Sequence, residues 1–334
     1  MPLVATSAYA SESDTMNYDA ARKAYDSGDF ANALVYAKLA GAGGNANAQT
    51  LAGYILLRGS AGHADKVDAA KWLLKAANQG HEDAMVALGK LAIKSEGGLS
   101  ASDGIKWFTR AADKGRTDAM MSLADVYFKG KGAAPDKIMG EKWLLKAANY
   151  GDAGAMRRLG DIYFEKDAQA SVDWYEKAAQ GGDAEAAYIA AIMHVENYDL
   201  KPDTAKTAKL LSQAAYAGHA AAQADYGLMV FQGNGVTKSM EDAAKWFKKS
   251  AMGGDPEGRF LYAYTLAKGE GVPRNLEDAY YWLLRADMDS GASGISEYDK
   301  DRAELRKRLE EHMPAAQQDS ARKRAASDRV LAAK

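Results

Sequence analysis

A tryptophan recurs about every 36 residues along most of this 334-residue chain, and this spacing constrains the fold more than any other feature. Successive residues at the shared position are separated by 36, 35, 36, 31, 36, 36 and 36 residues, and all six tryptophans of the chain occupy it. Such a period predicts stacked helical units with one continuous core, because a single unit cannot bury its own apolar face. The shared position holds Tyr36, Trp72, Trp107, Trp143, Trp174, Leu210, Trp246 and Trp282.

Each period predicts two helices, here called helix A and helix B, joined by glycine-containing turns. Helix A has apolar residues at i, i+4 and i+8, as in AMRRLGDIY at residues 155–163, and a glycine-rich loop usually follows it. Helix B carries the tryptophan, as in KWLLKAANQG at residues 71–80, and ends with two alanines and a glycine. Glycine enters the left-handed backbone region without steric strain, which suits a helix C-terminus. We count eight helix pairs between Tyr18 and Met288.

The predicted core of each pair combines a large side chain with small ones. The tryptophan acts as an apolar wedge, while Leu88, Gly89, Ala92 and their equivalents allow the helices to approach closely. The one step of 31 residues falls where the loop between the two helices shortens to EKDAQ at residues 165–169. We therefore expect intact helices and a shorter loop at that point.

These residues resemble the Sel-1-like repeat family, a relative of the tetratricopeptide repeats. The family pattern is roughly A-x-x-x-L-G-x-x-Y, then G-x-G-V, then A-x-x-W-x-x-K-A-A-x-x-G. The first pair, with AYDSGDFANAL, is closer to a plain tetratricopeptide unit, and the repeat with Leu210 also lacks the tryptophan. The residues that match are Ala155, Leu159, Gly160, Tyr163, Trp174, Lys177, Ala178, Ala179 and Gly182, with Gly233, Gly235, Val236, Gly269, Gly271 and Val272 in the loops. The expected family tyrosine is replaced by Ala92, His194 and Val230.

The resemblance implies an all-α fold, a right-handed α-solenoid of about eight helix-turn-helix repeats with a C-terminal capping helix. We expect a flexible N-terminus at residues 1–15, the solenoid at 16–290 and polar capping helices at 291–334. The tail contains a helix-start proline, Pro314, and is expected to shield the last apolar face. The alternative is that the basic run at residues 322–324 binds an acidic partner.

Composition excludes several classes of function. The chain has 43 basic and 45 acidic residues, a formal charge of −2, which argues against nucleic-acid binding and a polybasic membrane anchor. It has no cysteine, so thiolate metal sites, disulfides and thiol nucleophiles are excluded. No stretch is apolar enough for a transmembrane span.

No combination of residues indicates catalysis, so we predict a protein that is not an enzyme and needs no cofactor or metal. No two of the five histidines stand at i and i+4 on a helix, and His194 is expected to be a hydrogen-bonded core histidine. The segment GKGAAPDK at residues 130–137 lacks the spacing and the preceding strand of a phosphate-binding loop. Asp125 and Asp161 hold equivalent positions, but nothing near them would separate their pKa values.

The resemblance places the A helices on a concave surface, and the positions two before and two after the core leucine are predicted to face it. The first series, ladder 1, is Thr50, Val86, Met121, Arg157, Tyr188, Ala224 and Phe260, and ladder 2 is Tyr54, Lys90, Asp125, Asp161, Ile192, Leu228 and Tyr264. Exposed apolar patches and aromatic side chains mark interaction sites. The predicted partner-binding residues are Lys90, Asp125, Arg157, Asp161, Tyr188, Ile192, Leu228, Phe260 and Tyr264. The alternative is that curvature packs these side chains between A helices.

The predicted function is a protein-interaction scaffold in a bacterial envelope. Ala8-Tyr9-Ala10 has the small-x-small pattern of a signal-peptidase site, which favours a periplasmic or secreted protein. The partner would be a peptide segment or a folded effector or receptor domain, and the protein a monomer or weak dimer. The role would be adaptor, regulator or toxin-neutralising immunity protein. A glycan- or cell-wall-binding module is the alternative, and Thr50, Tyr54 and Val86 do not supply the carboxylate clamp of a cytoplasmic co-chaperone.

Overall fold

The computed structural model describes residues 12–196, 202–289 and 298–332, and all regular elements in those ranges are α-helices. The A helices are α1 (Glu12–Asp26), α3 (Ala46–Arg58), α5 (Glu82–Ile93), α7 (Thr117–Lys129), α9 (Ala153–Tyr163), α11 (Ala184–Val195), α13 (Ala220–Gln232) and α15 (Pro256–Lys268). The B helices are α2 (Phe30–Ala42), α4 (Lys66–Asn78), α6 (Ala101–Ala112), α8 (Lys137–Asn149), α10 (Ala168–Gln180), α12 (Thr204–Tyr216), α14 (Met240–Met252) and α16 (Leu276–Asp289). Two further helices follow, α17 (Asp299–His312) and α18 (Ala315–Ala332).

The predicted α-solenoid of eight helix pairs is confirmed for the described residues, in which each A helix packs against the B helix that follows it. The chain divides at Ala155 into two compact units, called unit 1 (residues up to 155) and unit 2 (residues from 156). The predicted signal remnant at residues 8–10 and the start of the predicted tail lie outside the described residues. None of the described helices is both long and apolar enough to cross a bilayer.

Helix ends follow the sequence signals closely. The B helices end in glycines such as Gly80 and Gly182, whose φ angles of 92° and 91° only glycine adopts without strain. Most helices begin at a polar side chain that accepts a hydrogen bond from a first-turn backbone N–H. These caps include Asp29, Asn45, Asp65, Asp136, Asp167, Asp183, Asp203, Ser239 and Asp255. The short loop before α10 is confirmed, and the Asp167 N–H donates to Tyr163 O at 2.8 Å.

In the seven repeats from α3 to α16, the side chain directly after the tryptophan position is buried. Where it is aromatic it packs against a glycine of helix A: a Cβ atom built on Gly89 would lie 2.4 Å from Phe108 Cε1, and one on Gly160 would lie 2.7 Å from Tyr175 Cδ1. The buried residues are Leu73, Phe108, Leu144, Tyr175, Leu211, Phe247 and Leu283. Their helix A counterparts are Gly53, Gly89, Ala124, Gly160, Ala191, Gly227 and Ala263, so each aromatic residue faces a glycine.

The tryptophans lie at the edge of the core, between consecutive B helices. A Cβ atom on Gly41 of α2 would come within 3.0 Å of Trp72 Cζ3 on α4, which shows how closely the indole packs on the preceding B helix. Most of these rings stay half-buried. A cation three residues later covers the outer face: Lys75 Nζ lies 4.2 Å from the Trp72 ring centroid, and Lys177 Nζ lies 4.1 Å from that of Trp174.

Polar side chains tie successive repeats together. The last carbonyl groups of a helix have no partner within the helix. Gln49 Nε2 on α3 donates to Gly41 O of α2 at 2.8 Å, and Gln223 Nε2 on α13 donates to Ala215 O of α12 at 3.0 Å. At these two steps, the following repeat completes the hydrogen bonding of the helix end before it.

The C-terminal helix α18 covers the last B helix, α16. Ala321 and Ala325 are buried in this contact. Between α18 and α16, Arg324 Nη1 donates to Asp278 Oδ1 at 2.8 Å, and Arg322 Nη2 donates to the Tyr280 hydroxyl at 3.0 Å. These intramolecular bonds support the capping role of the tail over a basic site for an acidic partner.

We expect Gly89→Ala to destabilise the protein by about 1–3 kcal/mol, because the added methyl group overlaps the Phe108 ring. Adding Phe108→Leu should restore part of this loss, since the Ala124 and Leu144 pair is the same combination. Chemical denaturation followed by circular dichroism measures the effect. Gly154→Ala is the matched control, because its Cβ atom would meet only the Asp152 carboxylate at 3.2 Å and Met121 at 4.0 Å. Equal stability of Gly89→Ala and wild type would contradict the packing argument.

Candidate functional site

The two predicted ladders differ in exposure. Ladder 1 is largely buried: Thr50, Val86, Ala224 and Phe260 are each 5% exposed or less. These four side chains therefore do not face an open groove as predicted, and among the predicted partner-binding residues this correction applies to Phe260. Met121, Arg157 and Tyr188 of ladder 1 are half-buried. Residues of ladder 2 are exposed or half-buried: Tyr54, Lys90, Asp125, Asp161, Ile192, Leu228 and Tyr264.

Two aromatic side chains of ladder 1 lie against the next element along the chain. Tyr188 on α11 stacks on His219, in the turn before α13, with ring centroids 4.4 Å apart. Phe260 on α15 packs against Tyr298, just before α17, with centroids 5.5 Å apart. The Tyr188 ring thus contacts the next repeat, whereas the Phe260 ring contacts the segment that follows the last repeat.

In unit 1, the predicted residues Lys90 and Asp125 are distinct from a network of charges formed around Arg116. Lys90 is exposed, and Asp125 forms an ion pair with Lys129, with Oδ2 and Nζ 3.5 Å apart. The Arg116 guanidinium bridges Asp118, at 2.8 Å, and Asp83. Hydrogen bonding to Asp118 outweighs burial and raises the pKa of Arg116.

In unit 2, Arg157 and Asp161 are bound within the chain. Arg157 Nε donates to Asp183 Oδ2 at 2.9 Å, while Asp183 Oδ1 accepts from the Ala186 N–H and caps α11. Burial alone would lower the pKa of Arg157, but the hydrogen bond and the charge of Asp183 raise it overall. Asp161 accepts from the Tyr175 hydroxyl at 2.7 Å.

Two contacts hold the Tyr188 side chain in place, one at its hydroxyl group and one on its ring face. Its hydroxyl group hydrogen-bonds to Asp225, and its ring lies on His219. His219 Nδ1 accepts from the Ala222 N–H at 3.1 Å and caps α13, while Nε2 lies 3.1 Å from Glu185 Oε2. Burial, followed by the charge of Asp225, raises the pKa of Tyr188. Sequence reasoning missed that His219 acts as both a helix cap and a stacking partner.

Three predicted residues, Leu228, Phe260 and Tyr264, meet in a cavity of about 560 Å³ between α13, α15 and α17. From α17 come Leu305 and Leu309, and Tyr298 closes the side next to Phe260. The C-terminal part of the predicted apolar patch is therefore a covered cavity and not an open groove. Ile192 on α11 is half-buried and does not line this cavity.

Charged side chains from two elements also line the cavity. Lys268 ends α15, and Arg274 lies in the following loop with Nε donating to Ala267 O at 3.1 Å. Asp301, Glu304 and Arg308 come from α17, where Arg308 pairs with Glu304. Sequence reasoning missed these residues, because it treated the tail only as a cap.

Elsewhere in unit 2, His194, Glu176 and Lys206 form a hydrogen-bonded group between helices. His194 is buried, as predicted, and its Nε2 lies 2.8 Å from Glu176 Oε1. Lys206 Nζ binds the same oxygen at 2.9 Å. His194 Nδ1 has no partner among the described residues. In the described ranges, no three histidine or acidic side chains are grouped so that they could hold a metal ion.

A family model for the Sel1 repeat matches residues 46–81, 83–115, 117–152, 153–183, 184–219, 220–255 and 256–286. The chain belongs to the Sel1 repeat family. The matched segments follow the helix pairs from α3 to α16, and the first pair falls outside them, in line with its tetratricopeptide-like sequence. Proteins built from these repeats are generally non-enzymatic scaffolds.

Two solved structures have a similar fold. The Sel1 repeat protein from Oxalobacter formigenes aligns with a TM-score of 0.66 and 24% identity, over 89% of this chain and 88% of that one. The protective antigen c5321 of uropathogenic Escherichia coli aligns with a TM-score of 0.62 and 24% identity, over 92% of this chain and 67% of that one. At this identity the likeness shows the fold alone. No curated protein matches the chain significantly.

We expect Tyr188→Phe to reduce the loss of stability at alkaline pH. The raised pKa of Tyr188 means that the folded state keeps its hydroxyl proton above pH 10, where the unfolded chain loses it. This side chain therefore contributes stability below pH 10 that declines as the pH rises further. Denaturation midpoints measured from neutral to alkaline pH test this, and identical pH profiles for variant and wild type would contradict it. At neutral pH the variant should lose about 1 kcal/mol, since the hydrogen bond to Asp225 is gone.

Proposed function

We propose that this Sel1 repeat protein is a non-enzymatic scaffold that binds a protein partner, and that unit 2 binds a cationic segment of that partner around Tyr188. The observation that supports this most directly is a partly exposed aromatic and apolar pair on α11, beside carboxylates of α13 and of the start of α15.

The apolar part of this surface is formed by Tyr188 and Ile192. They stand four residues apart on α11 and therefore lie on one face of the helix. Both are half-buried, so each leaves part of its side chain open to a partner. Aromatic side chains of this kind are frequent anchors of binding free energy in protein interfaces.

The electrostatic part of this surface is acidic. Asp225, Asp255 and Glu257 all act on the Tyr188 hydroxyl by their charge. The two arginines nearby are already engaged: Arg157 binds Asp183, and Arg259 donates to the carbonyl groups of Ala251 and Arg285. A segment with a lysine or arginine next to an apolar residue would complement this surface and be attracted to it at low salt.

The remaining groups favour a binding role over catalysis. The ionisable side chains of the predicted site hold helices and repeats together, as in the Arg157 and Asp183 pair and the Tyr175 and Asp161 bond. A catalytic acid or base would instead lie within hydrogen-bonding distance of the substrate proton that it transfers.

The cellular role that we propose is that of an envelope protein, periplasmic or secreted, acting as adaptor, regulator or immunity protein. The sequence around Ala10 carries this part of the proposal. N-terminal sequencing of the protein from a periplasmic fraction tests it, and a mature chain that starts at Met1 or Pro2 would contradict it.

Glycan binding is the second candidate, supported by a different surface. Tyr216 and Tyr226 lie with their ring centroids 4.9 Å and 5.5 Å from that of Trp246, beside a cavity of about 540 Å³ that Ser239 and Asp242 also line. Tyr216 is 74% exposed, so its ring could stack on a sugar. Retention on peptidoglycan or polysaccharide, with no protein captured, would favour this function.

For the protein partner, we expect the double variant Tyr188→Ala with Ile192→Ala to weaken binding by more than about 1 kcal/mol per residue. The partner is captured from the envelope fraction on the immobilised wild-type chain, purified and titrated by surface plasmon resonance. Glu257→Lys should also weaken binding, and more so at low salt, because it reverses one charge of the acidic surface. Met252→Ala, an exposed methionine on α14, is the matched control. Unchanged affinity in both test variants would reject this surface.

A further inference from the structure

We propose that the cavity between α13, α15 and α17 binds an amphipathic anion, an acyl chain with a carboxylate head group. This site is separate from the partner surface around Tyr188 and does not depend on it. The proposal rests on the volume of the cavity, on its apolar wall and on the two cations at the end of α15.

The size and the wall of the cavity suit an acyl chain. Its volume of about 560 Å³ lies within the range of small-molecule sites in proteins. The wall is formed mostly by aliphatic and aromatic side chains: Leu228 and Phe231 from α13, Phe260 and Tyr264 from α15, and Leu305 and Leu309 from α17. An apolar chain that leaves water for this wall gains about 0.8 kcal/mol per buried methylene group.

The charges at the cavity favour an anionic head group. Lys268 and Arg274 line it from α15 and the loop that follows, and Asp301 lines it from α17. The other two charged residues, Glu304 and Arg308, neutralise each other as an ion pair. Among the described residues that line the cavity, the lysine and arginines therefore exceed the carboxylates by one. Neither Lys268 nor Arg274 forms an ion pair with a described residue, and the two stand close together along the chain.

The guanidinium group of Arg274 is also positioned to bind an anion. Its Nε donates to Ala267 O, which fixes the guanidinium group beside the last turn of α15. Within residues 12–196, 202–289 and 298–332, no acceptor binds its other N–H groups, which leaves them for an anion. Lys268 Nζ lies 5.7 Å from the Tyr264 ring centroid, so the ammonium group stands above the apolar wall. A carboxylate bound between the two would leave its chain directed at the wall.

The cover supplied by α17 argues for a small molecule over a peptide. An extended segment lying across α13 and α15 would have to displace α17, and Leu309 of that helix is only 4% exposed. Phe260 and Tyr298 pack together on one side of the cavity and would also have to separate. A flexible chain can enter without either change.

The test is the binding of dodecanoate to the full chain, measured by isothermal titration calorimetry below the concentration at which the fatty acid forms micelles. We expect saturable binding of one molecule, which weakens about three- to fourfold for each methylene group removed. Dodecanol, which has the same chain and no charge, should bind more weakly, and dodecyltrimethylammonium should bind weakest. Absence of saturable dodecanoate binding, or equal affinity for all three compounds, would overturn the proposal.

Two variants locate the site. Lys268→Gln with Arg274→Gln should lower the affinity for dodecanoate about tenfold or more and leave that for dodecanol unchanged, since only the charge is removed. Lys245→Gln, an exposed lysine on α14, is the matched control and should have no effect. Equal dodecanoate affinity of the double variant and the wild type would overturn the proposal.

Filling the cavity gives an independent check. Leu228→Trp replaces a half-buried leucine of the cavity wall with a larger side chain and should abolish binding of both dodecanoate and dodecanol. Circular dichroism checks that the variant is folded. A folded Leu228→Trp protein that still binds dodecanoate would reject this cavity. The double variant of Tyr188 and Ile192 should bind dodecanoate normally, which separates this test from that of the partner surface.

Discussion

The contact on which each repeat depends is the packing of one large B-helix side chain against a residue with little or no side chain on helix A. Phe108 lies against Gly89, and Phe247 lies against Gly227, at distances that leave no room for a Cβ atom. Where helix A carries alanine, as at Ala124, the partner is the smaller Leu144. A larger B-helix side chain is thus paired with a smaller helix A residue. This pairing limits their combined volume, and it therefore sets the distance between the two helices and orients the remaining faces of the pair.

The repeats also depend on one another for their polar groups. The final carbonyl groups of a B helix accept hydrogen bonds from the next repeat, through Gln49, Gln223 or Arg259. Five of the six indoles are covered by a lysine or arginine three residues on. Because apolar burial and hydrogen bonding both cross the boundary between repeats, stability is shared along each unit.

This architecture leaves the A helices free to carry function, and in unit 2 the two ends of the A-helix surface differ. Around Tyr188 the surface is partly open and acidic, which suits a cationic partner segment. Around Phe260 the helix α17 covers the surface and turns it into an apolar cavity with Lys268 and Arg274 at its edge. We therefore propose two different binding environments in unit 2, a polypeptide surface and a small-molecule cavity, and the difference comes from the helix that follows the last repeat.

The sequence by itself determined the repeat number, the helix boundaries and the family, because tryptophan spacing and helix-ending glycines are local signals that need no tertiary contact. It also identified Leu228, Phe260 and Tyr264 as apolar A-helix residues with a role outside the single helix. Only the tertiary structure decided that Phe260 is buried, that Arg157 and Asp161 are bound within the chain, and that α17 closes a cavity over Leu228 and Tyr264. Those outcomes depend on residues far apart in the chain, such as Tyr298 beside Phe260, and a periodic pattern fixes which face a side chain occupies but not what lies against it.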